Sequence, residues 1–269
     1  MAVITISRGS YSHGKEIAEK VAQRLGYACI SRDLLLESSE EFNIPEIMLT
    51  KALENAPSFL ERYTHGKEKY IAFIEAKLLE HAQKDNMVYH GLAGHLFLRE
   101  VQHVLKVRII ANMDARAQLV MAREKTTKEK ALQLLKKVDE ERRRWGLDLY
   151  GFEPADPSLY NLVINVEPIT VDDAADIICH ASELERFKAT PESQRALDNL
   201  ALAAKTKAKL VPVIHDVAVT ASNGTVFVQA STNIEAESQV VSEIKEISEK
   251  IPGVTDVKID IALLTPRFL

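Results

Sequence analysis

Between residues 9 and 16 the chain reads Gly9-Ser10-Tyr11-Ser12-His13-Gly14-Lys15-Glu16, a spacing that fits a phosphate-holding loop. Glycines let successive backbone N–H groups turn inward around an anion, a following helix N-terminus adds its positive end, and a lysine supplies a mobile charge. Gly9, Ser10, Tyr11, Ser12, His13, Gly14 and Lys15 are therefore candidates for binding the phosphates of a nucleotide. The next residue in this pattern is normally a hydroxyl that binds Mg²⁺. Here it is Glu16, which either ligates the metal, directly or through water, or repels a triphosphate. Two glycines and a lysine recur by chance, so the flanking elements decide how much the motif weighs.

Those elements have the required order. Val3 to Ile6 is a short apolar strand and Ser7 to Gly14 a polar loop. From Lys15 the apolar residues Ile17, Val21 and Leu25 recur at helical spacing, and Gly26 stops the helix. Strand, loop and helix in that order predict an α/β fold with a parallel sheet. Tyr27–Ile30, Met87–Tyr89, Val104–Ala111 and Leu162–Asn165 read as further strands. Pro45–Glu54, Lys67–Lys84, Ala115–Glu124, Thr127–Trp145 and Val171–Leu184 read as helices. After residue 185 the composition shifts. A helix is predicted from Pro191 to about Ala208, then strands Ile214–Ala221 and Thr225–Ser231 joined through Asn223-Gly224, a strong hairpin signal. A helix over Ile234–Ile251 and a strand over Val254–Ile261 complete a small α+β tail. The expected division is 1–185, a linker and first tail helix at 186–208, and a module at 209–269.

Composition bounds the function. The 269 residues are 46% hydrophobic and 27% charged, with a formal charge of −5. That balance argues against affinity built on neutralising a nucleic-acid backbone, so no nucleic-acid partner is expected. Cys29 and Cys179 cannot frame disulfides or a thiolate metal site. The N-terminal residues lack a signal-peptide pattern and no apolar run approaches a membrane span of about 18 residues. A cytoplasmic chain without a transmembrane segment is the expectation.

Taken together, the first 185 residues resemble the cytidylate kinase-like branch of the nucleoside monophosphate kinases. The resemblance is carried by Ile4-Thr5-Ile6-Ser7-Arg8, the Gly14-Lys15-Glu16-Ile17 turn, and Leu25-Gly26-Tyr27 with Arg32-Asp33-Leu34-Leu35. Val107-Arg108-Ile109-Ile110-Ala111, Asp114-Ala115-Arg116, Asp139 to Arg142 and Tyr160 to Asn165 continue it in order. It implies a P-loop kinase fold and phosphoryl transfer from ATP, with Mg²⁺, to a nucleotide or other small-molecule acceptor. An arginine-bearing lid would close over both substrates and exclude water. Lys15 is then a catalytic candidate with Arg123 and Arg142, and Arg116 a nucleotide contact. Arg32, Asp33, His90, His95 and Arg143 are candidates for the acceptor, and Glu16 for the metal. The other reading of the lid arginines is a solvated helix face, since Glu140-Glu141-Arg142-Arg143-Arg144 offers many local partners.

The chain departs from the family pattern at Ser31, where an acidic residue is usual, and at Leu92, where an arginine would face the acceptor phosphate. His90 and His95 flank that second departure and are left to contact a different acceptor. These departures also admit an alternative, a catalytically weak nucleotide-binding sensor or a stress-linked scaffold. The tail resembles a BON domain through His215 to Thr220, the Asn223-Gly224 hairpin, Thr225 to Gln229 and Pro252 to Val257. That resemblance implies a regulatory, lipid-contacting or homo-oligomerising module.

Overall fold

The computed structural model describes residues 2–31, 33–42, 66–91, 93–214 and 216–263. The expected helix at 45–54, Arg32 and Leu92 lie outside them. In chain order the elements are β1 (Val3–Arg8), α1 (Gly14–Leu25), β2 (Ala28–Ile30), α2 (Asp33–Phe42), α3 (Gly66–Gln83), β3 (Met87–His90), α4 (Gly94–Phe97) and β4 (Val104–Ile110). There follow α5 (Met113–Glu124), α6 (Lys128–Tyr150), β5 (Leu162–Asn165), α7 (Val171–Ser182), α8 (Pro191–Leu210), β6 (Ala218–Ser222), β7 (Thr225–Thr232), α9 (Glu237–Glu249) and β8 (Asp256–Leu263).

Strands β1 to β5 form one parallel sheet in the order β2-β3-β1-β4-β5. Parallel neighbours need crossover connections, and the intervening helices supply them. One sheet face carries Ile4, Ile6, Val88, Leu105, Val107 and Ile109, packed under Ile17, Ala18 and Val21 of α1 and Ala174, Ala175 and Ile178 of α7. The opposite face carries Val3, Met87, Tyr89 and Val104, packed against α3, α4 and α8. From central β1 the chain leaves towards β2, whereas β4 and β5 lie on its other side. The loops leaving β1 and β4 therefore part at the carboxyl ends of those strands, the place where open α/β sheets hold ligands.

Three boundaries differ from the sequence expectation for local reasons. Helix α6 runs on to Tyr150 and ends at Gly151, which takes a left-handed cap with φ 67°. Strand β6 begins at Ala218 rather than Ile214, because Val213 and Ile214 donate to the Leu210 carbonyl and prolong the turn that closes α8. Helix α9 begins at Glu237, after Asn233 has accepted the Ala236 N–H with its side chain.

The second sheet has the order β6-β7-β8. Asn223 and Gly224, with φ of 49° and 86°, make the tight turn that sets β6 antiparallel to β7, as two successive positive φ angles require. Helix α9 then returns the chain so that β8 runs parallel to β7. Helix α8 contributes to both cores: Leu197, Ala201, Ala204 and Ala208 pack with α3, while Leu210 joins Val228 and Ile244 under the second sheet.

Candidate functional site

The glycine loop leaves β1 at its carboxyl end and feeds α1. Gly9 donates to the Ile109 carbonyl at 3.1 Å, and the Ser12 hydroxyl donates to the Gly9 carbonyl at 2.9 Å. Tyr11 and His13 take left-handed φ angles of 54° and 59°, which fold the loop back over itself. Gly14 is required by contact: a Cβ there would lie 2.7 Å from the Cβ of Arg8. The loop thus rests directly on the last side chain of β1. The first turn of α1 leaves its N–H groups without intrahelical acceptors, so this end attracts anions.

Beside the loop lies a cavity of about 430 Å³, reached by Arg8 from β1, Gly9 from the loop, Arg108 from β4, Arg116 from α5, and Lys136, Asp139, Arg142 and Arg143 from α6. Arg8, Arg108, Arg116 and Arg142 converge there. Arg142 donates to the Arg8 carbonyl at 3.0 Å. Burial first, and then Arg8, hold the Arg142 guanidinium below its usual range, with Asp139 opposing them. Arg8 is lowered by burial and by Arg123. Arginine stays protonated in proteins, so this is a concentration of positive charge that an anion would relieve.

Asp139 supplies the principal countercharge. Arg116 is buried and holds both carboxylate oxygens of Asp139 at 2.7 and 2.8 Å. Its Nε donates to the Ser10 carbonyl at 2.7 Å, and the Ser10 hydroxyl donates to Asp139 at 2.9 Å. Tyr11 packs with Ala117, Val120 and Leu135, in a small core between α5 and α6. Through these contacts the loop is tied to the helical hairpin α5–α6.

The remaining nominated residues are placed as follows. Lys15 is exposed in the first turn of α1, with Glu19 at 3.6 Å. Glu16 is exposed and held by His13 Nδ1 at 3.0 Å. Arg123, 76% exposed, lies over the Tyr11 ring and outside the cavity. Arg143 lines the cavity but is paired with Glu140 at 3.0 Å and Glu153 at 3.3 Å. His95 is buried, 3.0 Å from the Tyr160 hydroxyl. Its pKa is pushed down to about 3 by burial, then by Arg108. His90 is buried at the end of β3, lowered to about 4 by burial and then by Arg8 and Lys15, with Asp33 opposing. Asp33, at the first position of α2, therefore shares a neighbourhood with Lys15 and His90. Among the described residues no group of three His, Cys, Asp or Glu side chains forms a metal cluster.

Arg8, Arg108 and Tyr160 were not nominated from the sequence. A signal for Arg108 was present: Lys106 and Arg108 interrupt an otherwise apolar strand at alternate positions and so mark one face of it. Arg8 ends a buried strand at the loop itself.

Comparison with known proteins places the chain among relatives. The family model described as the cytidylate kinase-like family matches residues 3–168. A cytidylate kinase of Pyrobaculum aerophilum is 27% identical over 180 residues, covering 66% of this chain and 90% of the relative. That of Sulfolobus acidocaldarius is 25% identical over 177 residues, covering 65% and 91%. A solved structure of an uncharacterized protein from Eubacterium ventriosum superposes with a TM-score of 0.53 at 20% identity, over 68% of this chain and 99% of that one; it shares the fold. No helix among the described residues is long and apolar enough to cross a membrane. By the extent of the family match and the ordered elements beneath it, the chain belongs to the cytidylate kinase-like family.

Proposed function

We propose that the chain transfers the γ-phosphoryl group of ATP to a nucleotide or another small anionic acceptor. The observation that carries this reading is the convergence of Arg8, Arg108, Arg116 and Arg142 on a cavity beside the glycine loop. Phosphoryl transfer is mostly positioning and neutralisation of charge on the moving group, and this arrangement suits both. The loop amides and the α1 N-terminus would hold the ATP phosphates, with Lys15 swinging from Glu19 to the transferred group. Arg116 and Arg142, anchored on the α5–α6 hairpin, would add positive charge from the opposite wall.

A carboxylate can serve Mg²⁺, which takes oxygen ligands and is usually held by one or two carboxylates together with substrate phosphates. Glu16 meets that need, exposed in the first turn of α1 with only His13 to displace. An ion held by Glu16 would supply positive charge against that of the substrate phosphates. Asp33 and His90, near Lys15, and His95 and Arg143, which line the cavity, are the described residues offered to the acceptor. The tail, residues 209–269, is read as a BON-like regulatory module on its hairpin–helix–strand order.

The test is ATP binding by calorimetry with Mg²⁺, followed by a turnover screen across nucleoside monophosphates and small anionic metabolites. Lys15→Ala is expected to lower turnover about 10²–10³-fold while leaving the melting curve in place, since the side chain is exposed. Binding with no turnover on any acceptor would favour a nucleotide sensor, and absence of both would remove the proposal.

A further inference from the structure

Strand β8 is an edge of the second sheet among the described residues, since the order ends β7-β8. It is eight residues long, Asp256–Leu263, and contains no proline or glycine. Its inward-facing residues Val257, Ile259 and Ile261 join the core under α9 yet are only half-buried, whereas Val226, Val228 and Ala230 on neighbouring β7 are fully buried. Its outward-facing residues Asp256, Lys258, Asp260 and Ala262 are exposed. A long edge with open backbone groups and half-covered apolar side chains is a template for another strand.

The sequence of that edge is complementary to itself. In an antiparallel pair centred on Ile259, Val257 stands opposite Ile261 of the second strand, and Lys258 stands opposite Asp260. By symmetry Asp260 then meets Lys258, so both ion pairs form on the outer face and the apolar pairs form on the inner one. A parallel in-register pairing would set lysine on lysine and aspartate on aspartate, which is unfavourable. The charge pattern therefore selects a closed two-fold arrangement over open-ended stacking.

The helical layer permits it. Helix α9 packs against both β7 and β8. A two-fold pairing of β8 would therefore bring the two α9 helices onto the same face of the joined sheet, on either side of the axis.

We propose that β8 is the interface through which two copies of this chain associate, joining their tail sheets into one six-stranded sheet. The experiment uses the full chain and measures its mass by sedimentation velocity over a concentration series. Wild type is expected to be dimeric. Lys258→Asp alone places acid on acid, and Asp260→Lys alone places base on base. Each is expected to raise the dissociation constant roughly tenfold or more. Both positions are exposed, so unchanged circular dichroism and melting would show that each variant folds. Mixing the two single variants restores both ion pairs, and a heterodimer of wild-type affinity is expected. Amide exchange at residues 257–261 should slow with rising wild-type concentration. A wild type that stays monomeric would overturn the proposal, as would a dimer indifferent to both variants or a mixture that does not recover.

Discussion

The two faces of the five-stranded sheet are built from the same strands and have opposite characters. Under α1 and α7 the face is apolar through Ile4, Ile6, Val88, Leu105, Val107 and Ile109, all at 0–1% exposure, and turns polar only at His90 and Arg8 at the carboxyl ends. On the other face the residues alternate with these, and the character changes along the strands. Val3 and Val104 lie at the amino ends, and Thr5 with Lys106 and Ser7 with Arg108 follow in register towards the carboxyl ends. One face is therefore spent on stability. The other gives up apolar contact earlier along β4, at buried Lys106 and then at half-buried Arg108, which lines the cavity. The difference locates the chemistry at the carboxyl ends of the strands, where burial alone would not have chosen these residues.

The contrast is broken most severely from the apolar side. Ile6→Ala removes a fully buried side chain beneath α1 and is expected to lower unfolding free energy by about 3 kcal/mol, measured by denaturant titration. The turnover of the molecules that remain folded should stay near wild type. A loss of stability under about 1 kcal/mol would mean that this face is less tightly packed than its burial implies.

From the polar side the outcome inverts. Arg142→Ala removes a half-buried cation from among Arg8, Arg108 and Arg116. It gives up one hydrogen bond to the Arg8 carbonyl, while repulsion and desolvation are relieved. Stability should therefore hold or rise slightly. Turnover on the best acceptor found should fall about 10²-fold. A variant that keeps full turnover would exclude Arg142 from the transfer step.

How much of this was legible in the sequence follows from the range of each signal. The glycine loop and the Asn223-Gly224 turn are local, and adjacent residues state the backbone they need. The parallel sheet and the small second module followed from strand and helix periods, whereas the order of the strands came only from the structure. The convergence of Arg8 with Arg108 was not legible, because it depends on a register between strands about a hundred residues apart in sequence. Arg116 and Arg123 show the same limit within one helix. Seven residues apart, they share a face, but about 10 Å of rise separates them. Only Arg116 reaches Ser10 and Asp139, while Arg123 ends over Tyr11 in solvent. Period gives a face; only packing gives the position along it.

Acid should reach both faces together. His90 and His95 have pKa values of about 4 and 3 in the folded chain, with burial the first cause, and burial also lowers His103. Each is held neutral, so below the unfolded value of about 6.5 the unfolded state binds protons that the folded state refuses. This contribution to stability is complete above about pH 6.5 and declines as pH falls towards the folded values. A loss of roughly 2 kcal/mol by pH 5.5 is expected, before most carboxylates titrate. His90→Gln combined with His95→Gln should flatten the profile. Stability that is level from pH 7 to 5.5 would show that these imidazoles are not held neutral.

The smallest effect sharpens the polar face by a single oxygen. The Tyr160 hydroxyl lies 2.8 Å from the Pro154 carbonyl, 3.0 Å from His95 Nε2 and 3.3 Å from both Ser7 Oγ and Arg108. A phenol has one proton to donate, and the shortest contact, to Pro154, is the one with an acceptor that cannot donate. His95 must then carry its proton on Nε2 and donate it to Tyr160, which agrees with Nδ1 having no partner among the described residues. Tyr160→Phe removes the oxygen and leaves the Pro154 carbonyl and the His95 N–H unsatisfied. A loss of about 1–2 kcal/mol follows, with the histidine ring freed to turn towards the cavity it lines. Imidazole nitrogen shifts in the variant would report that turn. If Nδ1 proves to be the protonated nitrogen in the wild type, His95 accepts from Tyr160, and Pro154 is the group the phenol leaves unserved.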